Sequence, residues 1–598
     1  MNSTSGTMLK EFWAYLWQLH HKSKDIMTFK FARPSYINAR VNKALRENED
    51  PQDISKENLL KAEDGKGSEE GEDEAVDKTE IIPGGDESGG DSGDKSNMDP
   101  GEDYGGRQKV GLFLGPALFL LFLLIPTPAG MSPEAQRVLA GTAWVACWWI
   151  TEAIPIPATS LLPVVLFPLT GALAAGDAMA PYANPNVFLF LGGFTIAVCM
   201  ERWNLHRRIA LMIINFVGTS PVRLILGFMV ATAFLSMWIS NTATTMMMMP
   251  IGLAVIVKVA DIVQKQGVKG VDVRQGHFNF GTCLMLSIGY AASIGGVATL
   301  IGTPPNIVFA GVADEMFGQT IAFDQWFAYG LPLSIVFLVI AWLYMTRIAY
   351  PPEMKEIPGG QEVIQNELKE MGPMTNPEKK VAIVFLCVAV AWISRSFILE
   401  DIFPMIHDSV IGILGAVITF LIPVDIKRGE FLNSWGNALR VPWGILLLFG
   451  GGLSIAAGFQ ETGLATWIGE RLGILEGTAM IFIMLGVVAL VIFLTEITSN
   501  TATTSMMMPI MASMAAAMAI HPYALMIPAA TAASYAYMLP VATPPNAVVF
   551  GSGYITIPQM AKAGIWLNIA AIIAITLLAY FYLPFIWGID VTTFPAGW

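Results

Sequence analysis

Long apolar runs dominate the chain from about residue 110 to its carboxyl end. "VGLFLGPALFLLFLLIP" follows Lys109, and "GIWLNIAAIIAITLLAYFYLPFIWG" lies near the end. Runs of this kind approach or exceed the roughly 20 residues that a membrane helix needs. Periodicity alone does not separate a membrane helix from a buried one, but the number of such runs does. We therefore predict an all-α polytopic membrane protein with about eleven spans and two shorter re-entrant hairpins.

Composition agrees with this prediction, and charge divides the chain. Of 598 residues, 54% are hydrophobic and 14% charged, with a mean hydropathy of +0.54. Residues 1–46 hold eight Lys/Arg against two acids, whereas residues 47–108 hold six against twenty-one. The second block reads as an acidic disordered linker. For the basic segment 1–46 two interpretations stay open, an amphipathic helix on the inner leaflet or a solvated tail.

Positive charge also predicts the orientation of the spans. With a cytoplasmic amino terminus, the inner loops after residue 109 carry 17 Lys/Arg, and the outer side carries three, Arg137, Arg395 and Arg471. Inner loops of membrane proteins are enriched in these residues. We predict a protein of the cell membrane whose amino terminus is cytoplasmic and whose carboxyl terminus is extracellular.

The chain contains an internal repeat. "SNTATTMMMMP" begins at Ser240 and "SNTATTSMMMP" at Ser499, and ten of eleven positions agree. "GGFTIA" and "GGLSIA" each begin 48 residues earlier, and a TPPN block follows each SNT block, with Thr303 and Thr543 as its threonines. Each copy sits within five predicted spans, an odd number, so the second copy enters the membrane inverted. Inverted repeats are typical of secondary transporters, whose site lies at the repeat interface.

The repeat divides the chain into predicted regions. The first transmembrane helix and first repeat occupy residues 109–350, a cytoplasmic link 351–380, and the second repeat 381–598. The SNT side chains would be costly in hydrocarbon if unpaired, so we expect them to cap broken helices or line a wet cavity. The prolines of TPPN break their helices. Free carbonyls at such breaks bind cations, and free N–H groups at helix N-termini bind anions.

Other side chains refine the chemistry. No Lys or Arg lies deep in a predicted span, so an anionic substrate would need neutralising by co-bound cations and helix ends, which favours sodium coupling. Glu496 precedes the second SNT, either near a cation or as a solvated loop carboxylate. Glu152 fits a structural role at a helix end. The sequence has no Walker loop, GxSxG or HExxH motif, so we predict neither an enzyme nor an ATP-driven pump.

The paired SNT and TPPN blocks, with "YANPNVFLFLGGFTIAVCMERWNLHRRIAL" and "ATAFLSMWISNTATT", closely resemble the divalent anion:sodium symporter family over about residues 110–598. The resemblance implies a homodimer in membrane lipid, with scaffold and elevator-type transport domains. It implies one sodium site at Ser236, Ser240, Asn241 and Gly302, and a second at Thr495, Thr498, Asn500 and Ala542. It places the substrate against the side chains of Asn241, Thr242, Asn500 and Thr501, with Thr303 and Thr543 nearby.

The leading functional prediction is a sodium-coupled symporter that imports C4-dicarboxylates such as succinate, malate or fumarate by elevator-type alternating access. Co-transported sodium is the expected cofactor, a small dicarboxylate anion the expected ligand, and no nucleic-acid partner is expected. Citrate or sulfate symport and sodium-independent dicarboxylate exchange remain open within the class. An ion channel is the rival from another class, although a channel does not need two inverted sites for cation and anion.

Overall fold

The computed structural model describes residues 104–217, 220–265, 271–354, 360–472, 478–596 and 598. The predicted basic segment 1–46 and the predicted acidic linker up to residue 103 lie outside this range. Within it the chain is helical, apart from two short antiparallel strands, β1 (Pro423–Asp425) and β2 (Glu430–Phe431). The prediction of an all-α protein is confirmed.

The first half of the described chain contains twelve α-helices, the last of which continues as a π-helical turn over Met345–Ala349. In chain order they are α1 (Gly106–Leu124), α2 (Pro133–Thr151), α3 (Ile156–Thr159), α4 (Leu162–Thr170), α5 (Ala175–Met179), α6 (Pro185–Arg202), α7 (Leu205–Val217), α8 (Pro221–Ser236), α9 (Asn241–Lys265), α10 (Asn279–Gly296), α11 (Pro304–Phe317) and α12 (Phe323–Tyr344). A 3₁₀ turn, Ala180–Ala183, precedes α6.

The second half repeats this order after a link helix, α13 (Gly360–Glu370). Its helices are α14 (Asn376–Ser394), α15 (Glu400–Ile402), α16 (Asp408–Leu421), α17 (Trp435–Ala438), α18 (Trp443–Glu461), α19 (Leu464–Leu472), α20 (Met480–Thr495), α21 (Asn500–Ala517), α22 (Tyr523–Ala533), α23 (Pro544–Phe550), α24 (Ile557–Leu577) and α25 (Leu583–Trp587). Two π-helical turns, Arg395–Leu399 and Leu578–Tyr582, extend α14 and α24.

Seven of the described helical stretches are long and apolar enough to cross a membrane, and several shorter apolar helices accompany them. The elements fit the predicted eleven spans and two hairpins when each helix pair joined at a TPPN block counts as one span. Helices of this length and apolarity satisfy their own backbone groups in hydrocarbon. The chain is a polytopic membrane protein.

The SNT and TPPN blocks mark two kinds of interruption. Each SNT block turns one helix back on the next, giving hairpin 1 (α8 and α9) and hairpin 2 (α20 and α21). Each TPPN block follows an unwound loop, break 1 (residues 297–303) or break 2 (residues 534–543). Thr303 and Thr543 are N-cap residues, and a proline follows each at the first helical position. Proline suits that position because its missing N–H would be unpaired there anyway.

Small residues bring the hairpins and breaks close together. A Cβ added at Gly295 of α10 would lie 2.2 Å from the carbonyl oxygen of Ala233 on α8. A Cβ at Gly192 of α6 would lie 2.4 Å from the backbone of Gly412 on α16. Such contacts leave no room for a side chain, as is common where membrane helices pack through glycine. Gly295 therefore lets hairpin 1 pack directly against α10, the helix that ends at break 1.

Two buried arginines lie near helix ends, and each is matched by an acid. Arg208 Nε of α7 lies 3.0 Å from Glu378 Oε1 of α14, and its Nη1 donates to Gly372 O at 2.9 Å. Arg395 Nε lies 2.8 Å from Asp408 Oδ1. Removing one partner of such a pair would leave a buried charge, which costs about 3–5 kcal/mol. These pairs tie α7 and α16 to the two ends of α14.

The two halves differ in what covers their tips. Trp238 of hairpin 1 and Ile301 of break 1 are 8% and 6% exposed, whereas the residues at the repeat-equivalent positions, Ile497 and Val541, are 56% and 70% exposed. Trp238 and Ile301 lie in a crevice between α6 and α14. Its other lining residues are Gly193, Ile196, Ala197, Met200, Phe385, Val388 and Trp392. The fold repeats in sequence, yet only the first pair of apolar tips is packed into the helices around it.

Candidate functional site

The first half-site gathers oxygen atoms at the tip of hairpin 1. Ser236 Oγ contacts the Asn241 side chain and donates to Ala292 O at 2.7 Å. The Asn241 amide also lies 3.2 Å from Ala292 O and 3.3 Å from Gly302 O. With its nitrogen facing these carbonyls the amide donates hydrogen bonds, and with its oxygen facing them the set is all oxygen. An all-oxygen set is what a hard cation binds.

The second half-site mirrors the first. Thr495 Oγ1 lies 2.7 Å from Asn500 Oδ1 and 3.1 Å from Ala533 O. Thr495 precedes its asparagine by five residues, as Ser236 precedes Asn241. The residue at the position equivalent to Gly302 is Ala542, which is buried in break 2. The same hydroxyl, amide and carbonyl pattern therefore occurs twice, once in each repeat.

Two residues of the predicted sodium sites use their side chains within their own hairpins. Ser240 Oγ accepts a hydrogen bond from Ala243 N at 3.2 Å, so it caps α9. Thr498 Oγ1 donates to Leu494 O at 2.8 Å and lies 2.5 Å from Thr503 Oγ1. The structure thus brings Ser236, Asn241 and Gly302 together, and Thr495 with Asn500. Ser240 and Thr498 help to shape the hairpin tips.

The predicted substrate residues lie at helix starts. Asn241 begins α9 and Asn500 begins α21, followed by Thr242, which is half-buried, and Thr501, which is buried. The N-terminus of a helix carries partial positive charge and free N–H groups. These starts can attract the carboxylates of an anion without a basic side chain.

The two breaks meet across the repeat interface. Ser534 Oγ of break 2 donates to Thr303 Oγ1 of break 1 at 3.5 Å. Thr543 Oγ1 accepts from Asn546 N at 3.2 Å and caps α23. Ser534 and Thr303 belong to opposite repeats, so their contact lies at the repeat interface, where the site of such a transporter is expected.

Several residues of this region escaped the sequence interpretation. The carbonyls of Ala292 and Ala533 accept from the Ser236 and Thr495 hydroxyls. Both alanines lie in an "AAS" triplet, at 291–293 and 532–534, so the triplet was a signal that the repeat comparison could have found. The TPPN asparagines, Asn306 and Asn546, donate to carbonyls of the break loops.

Glu496 is not the solvated loop carboxylate that one interpretation of the sequence suggested. It is buried, and its carboxylate accepts from Tyr537 N at 2.8 Å, Met538 N at 2.9 Å and Leu539 N at 3.1 Å. Asn568 Nδ2 of α24 donates to it at 2.7 Å. Buried carboxylates persist where hydrogen bonds replace water. Glu496 therefore organises break 2 and is not a solvated loop carboxylate.

Glu152 has the structural position that the sequence predicts. It is the C-cap of α2 in the left-handed conformation, with φ of 52°. Its carboxylate lies 3.1 Å from Arg107 Nη2 near the start of α1. Because both side chains are well exposed, this pair contributes little to stability.

A protein family, several curated proteins and solved structures are similar to this chain. The family described as "Sodium:sulfate symporter transmembrane region" matches residues 107–588. The sodium-dependent dicarboxylate transporter SdcS of Staphylococcus saprophyticus is 49% identical over 492 residues, 82% of this chain and 94% of that protein. SdcS of Staphylococcus aureus is 47% identical over 491 residues, with the same coverage. The solved structure of Neisseria gonorrhoeae MtrF matches with a TM-score of 0.47 and 11% identity over 78% of this chain and 94% of that one.

Proposed function

The chain belongs to the sodium:sulfate symporter transmembrane family, a family of transporters and not of enzymes, and we propose that it is a sodium-coupled symporter that imports C4-dicarboxylates. Succinate, malate and fumarate are the expected substrates. These matches confirm the resemblance that the doubled SNT and TPPN motifs carry.

The observation that carries sodium coupling is the doubled set of converging oxygens. In the first half-site, Ser236 Oγ contacts the Asn241 side chain and lies 2.7 Å from Ala292 O, and the Asn241 amide lies 3.2 Å from Ala292 O and 3.3 Å from Gly302 O. When the Asn241 amide turns its oxygen toward these carbonyls, the oxygens repel one another unless a cation lies among them. A sodium ion bound to the amide and carbonyl oxygens would relieve this repulsion.

Because the half-sites have no basic side chain, an anionic substrate depends on bound sodium. The half-site contacts described above involve hydroxyl, amide and backbone groups, and none of these groups is cationic. Two carboxylates brought to such a site need compensation, which helix N-termini supply only in part. Sodium ions bound beside them supply the rest. This dependence of anion on cation is what couples the two fluxes.

The choice of a dicarboxylate rests on the curated relatives. Both SdcS proteins are named as sodium-dependent dicarboxylate transporters, and they share nearly half of the aligned residues with this chain. The family description names sulfate, so sulfate is the substrate to test against.

Three further features complete the proposal. The protein would work as a homodimer, with its amino terminus in the cytoplasm and its carboxyl terminus outside. Hairpins, breaks, α12 and α24 would form a transport domain that moves against a scaffold of the remaining spans. The unequal covering of the two pairs of apolar tips supports such a movement, because only the first pair is packed against helices of the proposed scaffold.

Uptake into proteoliposomes tests the proposal. We expect radiolabelled succinate to enter only with an inward sodium gradient and to be displaced by malate and fumarate but not by sulfate. Replacing sodium with choline should abolish uptake. Uptake without sodium that depends on internal dicarboxylate would instead establish an exchanger, and conductance that does not saturate would establish a channel.

Substitution of the SNT asparagines tests the site. Asn241→Ala and Asn500→Ala should each lower sodium-dependent uptake at least ~100-fold, because each removes a ligand and leaves buried polar groups unpaired. Asn433→Ala is the control, since Asn433 is a buried asparagine that lies in the loop between β2 and α17. Near-normal uptake by both SNT variants, with protein present in the membrane, would contradict the assignment.

A further inference from the structure

Each TPPN block ends in a fully buried asparagine that bonds backward across the break. Asn306 Nδ2 donates to Thr299 O at 2.7 Å, Gly296 O at 3.2 Å and Val297 O at 3.3 Å. Asn546 Nδ2 donates to Ala536 O at 3.0 Å and Leu539 O at 3.1 Å. One amide thus closes each loop onto the first turn of the helix that follows it.

These contacts occupy the carbonyls that the broken helices leave free. A helix that ends at a break has up to four carbonyls without partners, and each needs a donor when it is buried. Asn306 takes one carbonyl at the end of α10 and two within break 1. Gly302, whose carbonyl lies 3.3 Å from the Asn241 amide, is part of the same loop. Asn306 therefore sets the path of the segment that carries Gly302 to hairpin 1.

The other end of each amide points to a functional reason for keeping it. Asn306 Oδ1 and Asn546 Oδ1 are both buried without a hydrogen-bond partner among the described residues. An unpaired buried acceptor destabilises a fold. Asparagine occurs at both equivalent positions of the inverted repeat although its oxygen is unpaired there. Packing does not explain this, but the N–H donors do, because they hold the break loops.

We propose that Asn306 and Asn546 are positioning residues that set the sodium affinity of the two half-sites. The proposal rests on the sodium-coupled function proposed above. By fixing break 1 and break 2, the two side chains hold the carbonyl of Gly302 toward hairpin 1 and keep Ala542 at the equivalent place near hairpin 2. Neither amide needs to contact the substrate or the ion.

The two positions are not equally protected. Break 2 is also held by Glu496, which binds three of its N–H groups. Break 1 has no such carboxylate, because the residue equivalent to Glu496 is Met237. Besides Asn306, the indole of Trp326 donates a hydrogen bond to a carbonyl of break 1, that of Val297, at 2.9 Å. Loss of the Asn306 donors should therefore weaken sodium binding more than loss of the Asn546 donors.

The test is sodium-dependent thermal stabilisation of the purified full-length protein, with choline replacing sodium at constant ionic strength. A ligand that binds only the folded state raises its stability with concentration, so the midpoint reports affinity. Asn306→Asp and Asn546→Asp keep the size of the side chain but remove its donors. We expect the half-saturating sodium concentration to rise at least ~tenfold for Asn306→Asp, equivalent to about 1.4 kcal/mol, and less for Asn546→Asp.

Asn433→Asp is the matched control. Asn433 is also buried and donates from its amide to Thr419 Oγ1 at 3.3 Å, away from both breaks. This variant should lose thermal stability without a change in half-saturating sodium. If Asn306→Asp cannot be recovered folded, Asn306→Ser, which keeps one donor, replaces it, with the same direction of change expected.

The outcomes separate the inference from the function on which it rests. Folded Asn306 and Asn546 variants whose half-saturating sodium equals that of the wild type would overturn the positioning role, even if their melting temperatures fall. A wild-type protein that sodium does not stabilise would overturn sodium coupling itself. A larger effect at Asn546 than at Asn306 would overturn the argument from Glu496.

Discussion

At the scale of single residues, positions 302 and 542 show how closely two mirrored half-sites can differ. The first half-site has glycine and the second has alanine. A Cβ added at Gly302 would lie 2.3 Å from Gly296 O, a backbone atom that a small side-chain adjustment cannot move. The backbone of break 1 is therefore folded more tightly than that of break 2.

This difference makes a paired prediction. Gly302→Ala should lower sodium-dependent uptake at least ~tenfold, because overpacking costs about 1–3 kcal/mol and displaces a carbonyl of the first sodium site. Ala542→Gly should stay within about twofold, since it removes only one methyl group. Uptake measured at several sodium concentrations distinguishes the effects of the two substitutions. Equal effects at the two positions would show that the half-sites tolerate a Cβ alike.

The sequence identifies the polar tips but not all of their partners. Asn241 and Asn500 stand out because short polar residues repeat inside apolar runs. Ala292 and Ala533 contribute through their carbonyls, and a backbone atom leaves little trace in residue identity. Asn306 and Asn546 were visible as motif letters, yet only the fold shows which carbonyls they bind.

At the scale of elements, Glu496 links hairpin 2, break 2 and α24. It belongs to the tip of hairpin 2, binds the N–H groups of break 2 and accepts from Asn568 on α24. Hairpin 1 has no equivalent carboxylate. Hairpin 2 and break 2 are therefore held together by charge-assisted hydrogen bonds, which are about twice as strong as neutral ones.

Glu496→Gln should disrupt this junction. A glutamine turns an amide donor toward groups that already donate, and hydrogen bonds to charged groups are each worth about 1.5–3 kcal/mol. We expect sodium-dependent uptake to fall at least ~tenfold and the melting temperature of the purified protein to fall with it. Glu470→Gln, at an exposed position of α19, is the control. Unchanged transport and stability for Glu496→Gln would show that the carboxylate is dispensable.

The interruptions of the helices could be predicted where local chemistry determines them. Proline after an N-cap threonine ends one helix and starts another at each TPPN block, and the sequence shows this directly. Short elements such as α7, α13 and α19 were less visible. They are too short to give a membrane-length apolar run, and their places depend on contacts such as Arg208 with Glu378.

At the scale of the whole molecule, the covered and uncovered tips are what the proposed movement between two arrangements of one fold requires. The ring centroids of Trp238 and Phe385 are 5.1 Å apart, and both residues line the crevice beside α6. The repeat gives α18 the equivalents of the α6 side of that crevice, with Ile455 in place of Ile196. In the movement proposed above, Ile497 and Val541 would pack against α18, which would bury apolar side chains that are now exposed.

Cysteine cross-linking tests this movement. In a background without the four native cysteines, the pair Trp238→Cys and Ile196→Cys should cross-link in the arrangement described. The pair Ile497→Cys and Ile455→Cys should cross-link when the transport domain has moved, and each cross-link should stop uptake until it is reduced. If the second pair never forms in protein that transports, the tips do not alternate in this way.

The hydrogen bonds of each SNT asparagine stay within its own repeat, which has a consequence for membrane insertion during synthesis. Asn241 bonds to partners within the first repeat, and Asn500 to partners within the second. The first half can therefore enter the bilayer with its polar tip already paired, while the ribosome, at roughly 5–20 residues per second, still has the second half to add. The contact of Ser534 with Thr303 can form only after both halves are inserted. We therefore expect biosynthesis to deliver two separately shielded halves, whose polar surfaces meet once both are in the bilayer.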